Sequence, residues 1–583
     1  MIDKEKTRWF KEARFGLFIH WGLYAATEGY WNGKETIGIG EWIVARERIP
    51  RIEYEKYADK MTCEKFEPAK WAKLARNAGM QYCVFTAKHH DGFAMYDTSY
   101  DDYSIVKRSP YGKDVAAQVT DAMRAEGIMP CFYYSHALDF HDVNARGNTW
   151  DFSIPEKERD FRSYIDGKCK FQLKELLTDY GKLGLIWMDV PKGINEELAL
   201  ELKDFVHKYQ PDCLVSGRIH YTPGIGDFGC FGDNQIPVSK PMGCWETAAT
   251  MNRTWGYKRD DHNFKSVKEI IELLCGCLAK GTNLLLNIGP KANGEIPEES
   301  VYILEELAKW YKINGEAVNG TDASPFDCDF SFGGASMREN VIYLYVYDRV
   351  DSVDIYGIEN KVKEVTVLGG ISLPYTQGEI LHIDMNEVVY GQYVTVLKLT
   401  LDGKVNVQKG ICQVEKDTII LPPAAAQIIK RVDNEASCLL KGDAALEAEN
   451  MNLAECDEFS ISPAGVVKNW FSEKNSLQWE FAVIEKGEYE VFLYSITQKY
   501  EQWVGGHKVH VICNGEGESK IITADKEASG ANQKYYAETG SFVGTVHLNK
   551  GQNSLNLIAD KINCEDPVGL SVTKLVLIHK ESE

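Results

Sequence analysis

The sequence predicts an α/β domain followed by all-β structure: an irregular N-terminal (β/α)8-like barrel, then two β-sandwiches. Three observations carry this prediction. Over residues 1–320, short apolar runs alternate with amphipathic stretches of helical period, several closed by glycine, as at Gly79, Gly127 and Gly281. From about residue 325 the period becomes two, with Ile342, Leu344 and Val346 alternating with Tyr343, Tyr345 and Tyr347. At 583 residues the chain is also too long for one hydrophobic core.

The elements follow in order. Arg14–Trp21 reads as a first strand, and residues 67–79, with Trp71, Leu74 and Ala75, as an amphipathic helix. Gln81–Lys88 is a second strand, 112–126 a helix and Ile128–Ser135 a third strand. Helix 156–180 leads to the fourth strand, Leu183–Val190. Helix 195–209 precedes a short strand at Cys213–Arg218, and Cys244–Thr247 is a further candidate. Helix 266–280, strand Asn283–Ile288 and helix 297–313 complete the region. Repeated units of this length read as a barrel or an open doubly wound sheet, and the strand candidates number one short of a regular barrel. The domains expected are 1–322 for the barrel, 323–432 for a first sandwich and 440–583 for a second. The second resembles accessory carbohydrate-binding modules. Its aromatics Tyr500, Trp503, Tyr535 and Tyr536 suit either sugar stacking or packing.

Composition narrows the function. Aromatics make up 11% of the chain, as in a well-packed globular protein. The net charge of −21 argues against nucleic acid as a partner. No apolar stretch approaches a membrane span. The charged N-terminus runs straight into the fold with no signal peptide, so a cytoplasmic location is expected, or a secreted one if a leader has been removed. The 15 cysteines include no CxxC pair, which suits reduced, mostly buried thiols.

Candidate chemistry gathers at strand ends, where barrels place catalytic groups. The first strand ends Phe18-Ile-His20-Trp-Gly22, the second Lys88-His-His-Asp-Gly-Phe93 and the third Tyr133-Tyr-Ser-His136. The fourth carries Trp187 and Asp189, which share a face because strand side chains alternate. Ser216-Gly-Arg218 and Trp245-Glu246 follow. A buried strand rarely carries an unpaired carboxylate, because desolvating the charge is costly. Asp189 is therefore either functional or a structural residue ahead of helix 195–209. Paired carboxylates in such a pocket could hydrolyse a glycosidic bond. Alternatively His20, His89, His90 and Asp189 could hold a metal, provided the backbone turns between the two adjacent histidines. The wealth of Trp and Tyr favours sugar, since apolar ring faces stack on aromatics.

Five blocks carry a resemblance: Arg14-Phe-Gly-Leu-Phe-Ile-His-Trp-Gly22, Lys88–Phe93, Ile186-Trp-Met-Asp189, Trp245-Glu-Thr247 with Thr254-Trp-Gly-Tyr257, and Leu284-Leu-Leu-Asn-Ile-Gly-Pro290. In order and content they resemble the signature blocks of the α-L-fucosidases of glycoside hydrolase family 29, over about residues 8–315. The resemblance implies a retaining exo-glycosidase with a covalent fucosyl-enzyme intermediate, no metal or cofactor, and fucosylated oligosaccharides or glycoconjugates as partners. It implies Asp189 as nucleophile and Glu246 as acid/base, with Glu41 in reserve. His20, Glu41, Trp42, His89, His90, Tyr134, Trp187 and Arg218 match positions that hold fucose, and Trp187 or Phe93 could supply an apolar corner for its methyl group. The Trp-Glu-Thr block resembles the subgroup preferring α-1,3 and α-1,4 linkages. A metal-dependent barrel hydrolase and a catalytically silent fucose lectin are the rival readings. The family commonly has Phe before and Gly after the nucleophile; here these are Met188 and Val190, followed by Pro191.

Overall fold

The computed structural model describes residues 5–430, 459–498, 504–527, 536–566 and 568–580. The chain forms two compact units. The first comprises Met1–Asp233, Gly243–Val267 and Asn283–Gly315; the second comprises Asn234–Met242, Lys268–Thr282 and Glu316–Glu583.

The first unit is built on eight parallel strands: β1 (Phe15–Ile19), β2 (Tyr82–Lys88), β3 (Met129–Tyr134), β4 (Leu185–Met188), β5 (Leu214–Val215), β6 (Gly229–Cys230), β7 (Trp245–Thr250) and β8 (Asn283–Ile288). Their spatial order is β5-β4-β3-β2-β1-β8-β7-β6. A parallel bridge between Ser216 and Phe228 joins the two ends, and the Asp227 N–H donates to the Val215 carbonyl at 2.7 Å. The sheet therefore closes into a barrel rather than staying open. β6 is the strand the sequence reading lacks. Two residues are too few to show an alternation, so only its pairing with β7 reveals it.

The strands are buried on both faces, as parallel strands are. Phe18, Tyr82, Val84, Cys131, Tyr133, Leu185, Trp187, Leu214, Ala248 and Leu285 share one apolar cluster, which fills the barrel. The helices follow local rules. α1 (Pro68–Asn77) opens on proline, whose missing N–H costs nothing at a first turn, and ends before Gly79 at φ +94°. α2 (Val115–Ala125) is capped by Asp114, which accepts from the Ala117 N–H at 2.8 Å. The helix expected over 156–180 is broken: a π-helical turn, Ile165–Cys169, precedes α3 (Lys170–Asp179). The turn accompanies burial of Lys168, whose ammonium lies 3.0 Å from Asp139 and 3.2 Å from Asp101. α4 (Glu196–Tyr209) is capped by Asn195, with glutamates in its first turn and His207 and Lys208 in its last, complementing its dipole. α5 (Val267–Lys280) and α6 (Glu298–Asn314) complete the set. Among the described residues β5–β6 is joined only by a 3-10 turn, Gly217–Ile219, and β6–β7 by no helix, so the barrel is irregular, as expected.

The second unit is all-β apart from α5 and short turns. Asp322–Ala323, Gly333–Arg338, Val341–Val346, Thr395–Leu401 and Val362–Val367 make one antiparallel sheet, and Ser352–Tyr356, Ile380–Asp384 and Tyr375–Gln377 a second. A further pair of five-stranded sheets follows, built on Gly487–Gln498 with Tyr536–Leu548 and on Asn475–Val483 with Gly551–Lys561. Thr418–Leu421, read from its alternation as part of the first sandwich, pairs instead with Val572–His579, and Gln427–Lys430 pairs with Asn475–Val483. Alternation marks a strand but does not name its partner. Tyr500, Trp503 and Tyr535 and the side chain of Tyr536 lie outside the described residues. Twelve described cysteines are free, and Cys564 is disulfide-bonded, against the expectation of reduced thiols throughout. No described helix is long and apolar enough to cross a membrane.

Candidate active site

The C-terminal ends of the barrel strands form one pocket, lined by Phe18, His20, Ile39, Glu41, Trp42, His89, Tyr133, Trp187, Asp189, Arg218, Asp233 and Trp255. Asp189 follows β4 directly and is 8% exposed. Ser216 extends the β4–β5 pairing to its doorstep, accepting from the Met188 N–H at 2.9 Å and donating to the Met188 carbonyl at 3.0 Å.

Asp189 is held by two donors, with His90 beside them. Arg218 donates through Nε to Oδ1 at 2.8 Å. The Tyr133 hydroxyl donates to Oδ2 at 3.0 Å. His90 Nε2 lies 3.6 Å from Oδ2. Burial opposes ionisation, but the Arg218 guanidinium beside it holds the carboxyl well below the usual range. The group is a carboxylate under any ordinary condition, as a nucleophile must be.

The histidines are fixed by their outer nitrogens. His20 Nδ1 sits 2.7 Å from Asn287 Oδ1, while the Asn287 amide donates to the Trp255 carbonyl. Nδ1 is therefore the donor, and Nε2 is left as an acceptor. Burial lowers the His20 pKa to about 3, so the ring is neutral. His90 Nδ1 is 2.7 Å from Ser135 Oγ, whose own proton goes to the Leu138 carbonyl. This bond assigns the proton to Nδ1 and turns Nε2 toward Asp189. The chain leaves the strand after Lys88, so His89 and His90 pack with ring centroids 4.3 Å apart. The turn that two adjacent inward histidines require is present. His89 stacks on Tyr133 at 5.2 Å and 9°. Among the described residues no three His, Cys, Asp or Glu side chains are arranged to hold a metal.

Glu41 is 1% exposed. Its Oε2 accepts from the Gly256 N–H at 2.9 Å, and Oε1 has no protein partner. Burial pushes its pKa up to about 7 against that hydrogen bond. Trp42 meets His90 edge-on at 4.9 Å.

Three expected site residues are absent from the pocket lining, the first being His90, which stands behind it beside Asp189. Tyr134 points to the opposite face of β3, where its hydroxyl donates to Gln172 at 2.9 Å. Its neighbour Tyr133 is the inward tyrosine, because successive strand residues alternate. Glu246 sits near the start of β7, not its end, and is fully buried inside the barrel. Phe93 likewise packs on Tyr103 at 5.1 Å, away from the pocket lining. Phe18, Trp187 and Trp255 supply the apolar walls instead.

One carboxylate was missed. Asp233 follows β6 by three residues and lies at the pocket rim, its side chain 42% exposed. Arg218 Nη1 donates to it at 2.6 Å, so one guanidinium holds both Asp189 and Asp233. Without β6 in the reading, this loop carried no signal of being a strand end.

A closed parallel barrel whose strand-end pocket presents an ionised carboxylate, a second carboxylate and a wall of histidine and tryptophan has the make-up of a glycoside hydrolase site. The alpha-L-fucosidase family profile matches residues 2–316, and the chain belongs to that family. An alpha-L-fucosidase from Dictyostelium discoideum is 26% identical over 432 residues, covering 67% of this chain and 92% of its own. The crystal structure of an alpha-L-fucosidase from Vibrio sp. strain EJY3 superposes with a TM-score of 0.83 at 26% identity, covering 100% of this chain and 99% of that one. A family 29 alpha-L-fucosidase from Bacteroides thetaiotaomicron, trapped as a covalent intermediate with 2-fluoro-fucosyl fluoride, aligns at 25% identity and a TM-score of 0.63, covering 69% and 97% of the two chains. The protein is an alpha-L-fucosidase.

Proposed function

We propose that this enzyme removes terminal α-L-fucose by double displacement, with Asp189 as nucleophile and Asp233 as acid/base. The observation that carries the reading is the Arg218 guanidinium, which holds one carboxylate deep in the pocket and the other at its mouth. The acid/base must meet the leaving oxygen and then the incoming water, and both arrive from the mouth. The exposed carboxyl of Asp233 supports it in this role over the fully buried Glu246. Asp189 attacks the anomeric carbon as protonated Asp233 gives its proton to the departing glycosidic oxygen, so the C1–O bond breaks and the aglycone leaves a fucosyl ester; Asp233 then takes a proton from water, which attacks the same carbon, releasing fucose and the Asp189 carboxylate. The neutral His20 offers an acceptor nitrogen to a sugar hydroxyl, and Trp187 or Trp255 offers an apolar face to the methyl group.

Glu41 is the second reading for the acid/base, favoured by its pKa of about 7 and its unpartnered Oε1. Azide separates the two. Asp233→Ala is expected to lose most activity on poor leaving groups and to yield α-L-fucosyl azide, with Glu41→Ala yielding none. The reverse pattern transfers the role to Glu41.

The preferred linkages are α-1,3 and α-1,4 on branched glycans. Two things support this: the resemblance of the Trp245-Glu-Thr247 block, and a neighbouring cavity of about 200 Å³ that shares Trp255 with the pocket and could receive a second sugar branch. A panel of α-1,2-, α-1,3-, α-1,4- and α-1,6-fucosylated oligosaccharides tests it; fastest release from an α-1,2 or α-1,6 substrate would reject the preference. Binding without release across the whole panel would instead favour the lectin reading.

A further inference from the structure

Glu246 is fully buried, carries a carboxyl and takes no part in the chemistry above. Its Oε1 accepts from Trp187 Nε1–H at 2.8 Å, and its Oε2 accepts from the Tyr82 hydroxyl at 2.5 Å. The Tyr82 ring reaches it only because residue 16 is glycine; a Cβ there would lie 2.4 Å from that ring. Burial holds the carboxyl pKa up at about 7. Trp187, not Glu246, lines the pocket.

Trp187 touches both groups that hydrogen-bond the nucleophile. Its ring stacks on Tyr133 at 5.7 Å and 21°, and the Arg218 guanidinium lies 5.1 Å from its centroid. We propose that Glu246 is a positioning residue: it locks the Trp187 indole, and through it the Tyr133 hydroxyl and the Arg218 guanidinium that aim Asp189. A buried indole N–H calls for an acceptor, and a fixed one selects the orientation of the ring; in this barrel interior Glu246 supplies it. The proposal rests on Asp189 as nucleophile.

The test compares Glu246→Gln and Glu246→Leu on aryl α-L-fucosides graded by leaving-group acidity, with and without azide. Functional sites are counted by burst titration with 2-fluoro-fucosyl fluoride, so that loss of folded protein is not read as loss of rate. Gln keeps an acceptor for the indole and is expected to stay within about threefold of the parent, whereas Leu is expected to lose roughly 30–100-fold in kcat, the cost of a small misplacement of reacting groups. The loss should be equal across leaving groups, with KM little changed and no azide product. A loss that grows with leaving-group pKa, or an α-L-fucosyl azide product, would make Glu246 the acid/base and overturn the proposal. A fully active Leu variant would overturn it too. If Leu prevents folding, Tyr82→Phe removes one of the two anchors and is expected to lower kcat severalfold, again equally for all leaving groups; an unchanged kcat would contradict the proposal. Full activity of Asp189→Asn would sink the nucleophile reading itself, whatever the Glu246 variants show.

Discussion

Val190, the residue after Asp189, sits at φ +45°, a region that β-branched residues rarely enter. This is where the chain departs from the family's usual glycine, so a valine occupies a glycine's conformation. Its side chain is only 6% exposed. Removing a buried valine ordinarily costs about 2–4 kcal/mol once cavity and backbone terms are counted, while strain of this kind stores about 1–3 kcal/mol. Val190→Gly is therefore expected to cost less than about 1 kcal/mol by urea denaturation, since strain relief offsets the lost burial. A loss of several kcal/mol would show that the site is unstrained. Placement at the pocket was legible in sequence where a motif ended a strand, as for Asp189, His20 and Arg218. It was not legible where orientation decided: Tyr133 and Tyr134 are chemically identical, and only the strand's phase separates the one on Asp189 from the one on Gln172. The position of Glu246 was not legible for a similar reason, because depth along the strand, not residue type, keeps it from the pocket lining.

At the scale of elements, the long periodic pieces were readable and the two-residue ones were not. Strand Asn283–Ile288 was read to the residue. β6 left no periodic trace, and Asp233 was missed with it. The closure that β6 completes is tight: a Cβ on Gly217 would meet the Phe228 carbonyl at 2.8 Å. Gly217 also opens the turn that carries Arg218. Gly217→Ala is therefore expected to destabilise by about 1–3 kcal/mol, as overpacking does, and to lower kcat by displacing the guanidinium from Asp189. A variant with normal Tm and normal kcat would show that the closure tolerates the methyl group. The broken helix at 156–180 was invisible for another reason. Its apolar period is continuous in sequence and gives no sign of the π-helical turn that accompanies the ion pairs of Lys168 with Asp139 and Asp101.

For the whole molecule, two opposed sets of buried groups set the pH dependence of stability. Burial raises Glu41, Asp91, Glu246 and Glu415 to about 7. The folded state holds these protons longer than the unfolded one, so stability falls as pH rises through that range. Burial lowers His20 to about 3, His136 to about 4, and His89 and His90 in the same direction. The unfolded state binds those protons first, so stability falls as pH drops below the ordinary histidine value. The two sets nearly cancel between about pH 4.5 and 6.5, and a stability plateau is expected there, with Tm declining above about pH 6.5 and below about pH 4. A Tm maximum near pH 8 would show that the buried carboxyls are ionised in the folded state. The division into a barrel and β-sandwiches was legible from the change of period near residue 325. The exchange of Thr418–Leu421 into the later sheets was not, because pairing is long-range.

The central claim is that Asp189 attacks the sugar. Incubation with 2-fluoro-fucosyl fluoride, followed by peptide mass spectrometry, tests it most directly. One fluorofucosyl adduct on the carboxyl of Asp189 is the expected result, absent in Asp189→Asn. An adduct on any other residue, or turnover of the compound in the Asp189→Asn variant, would contradict it.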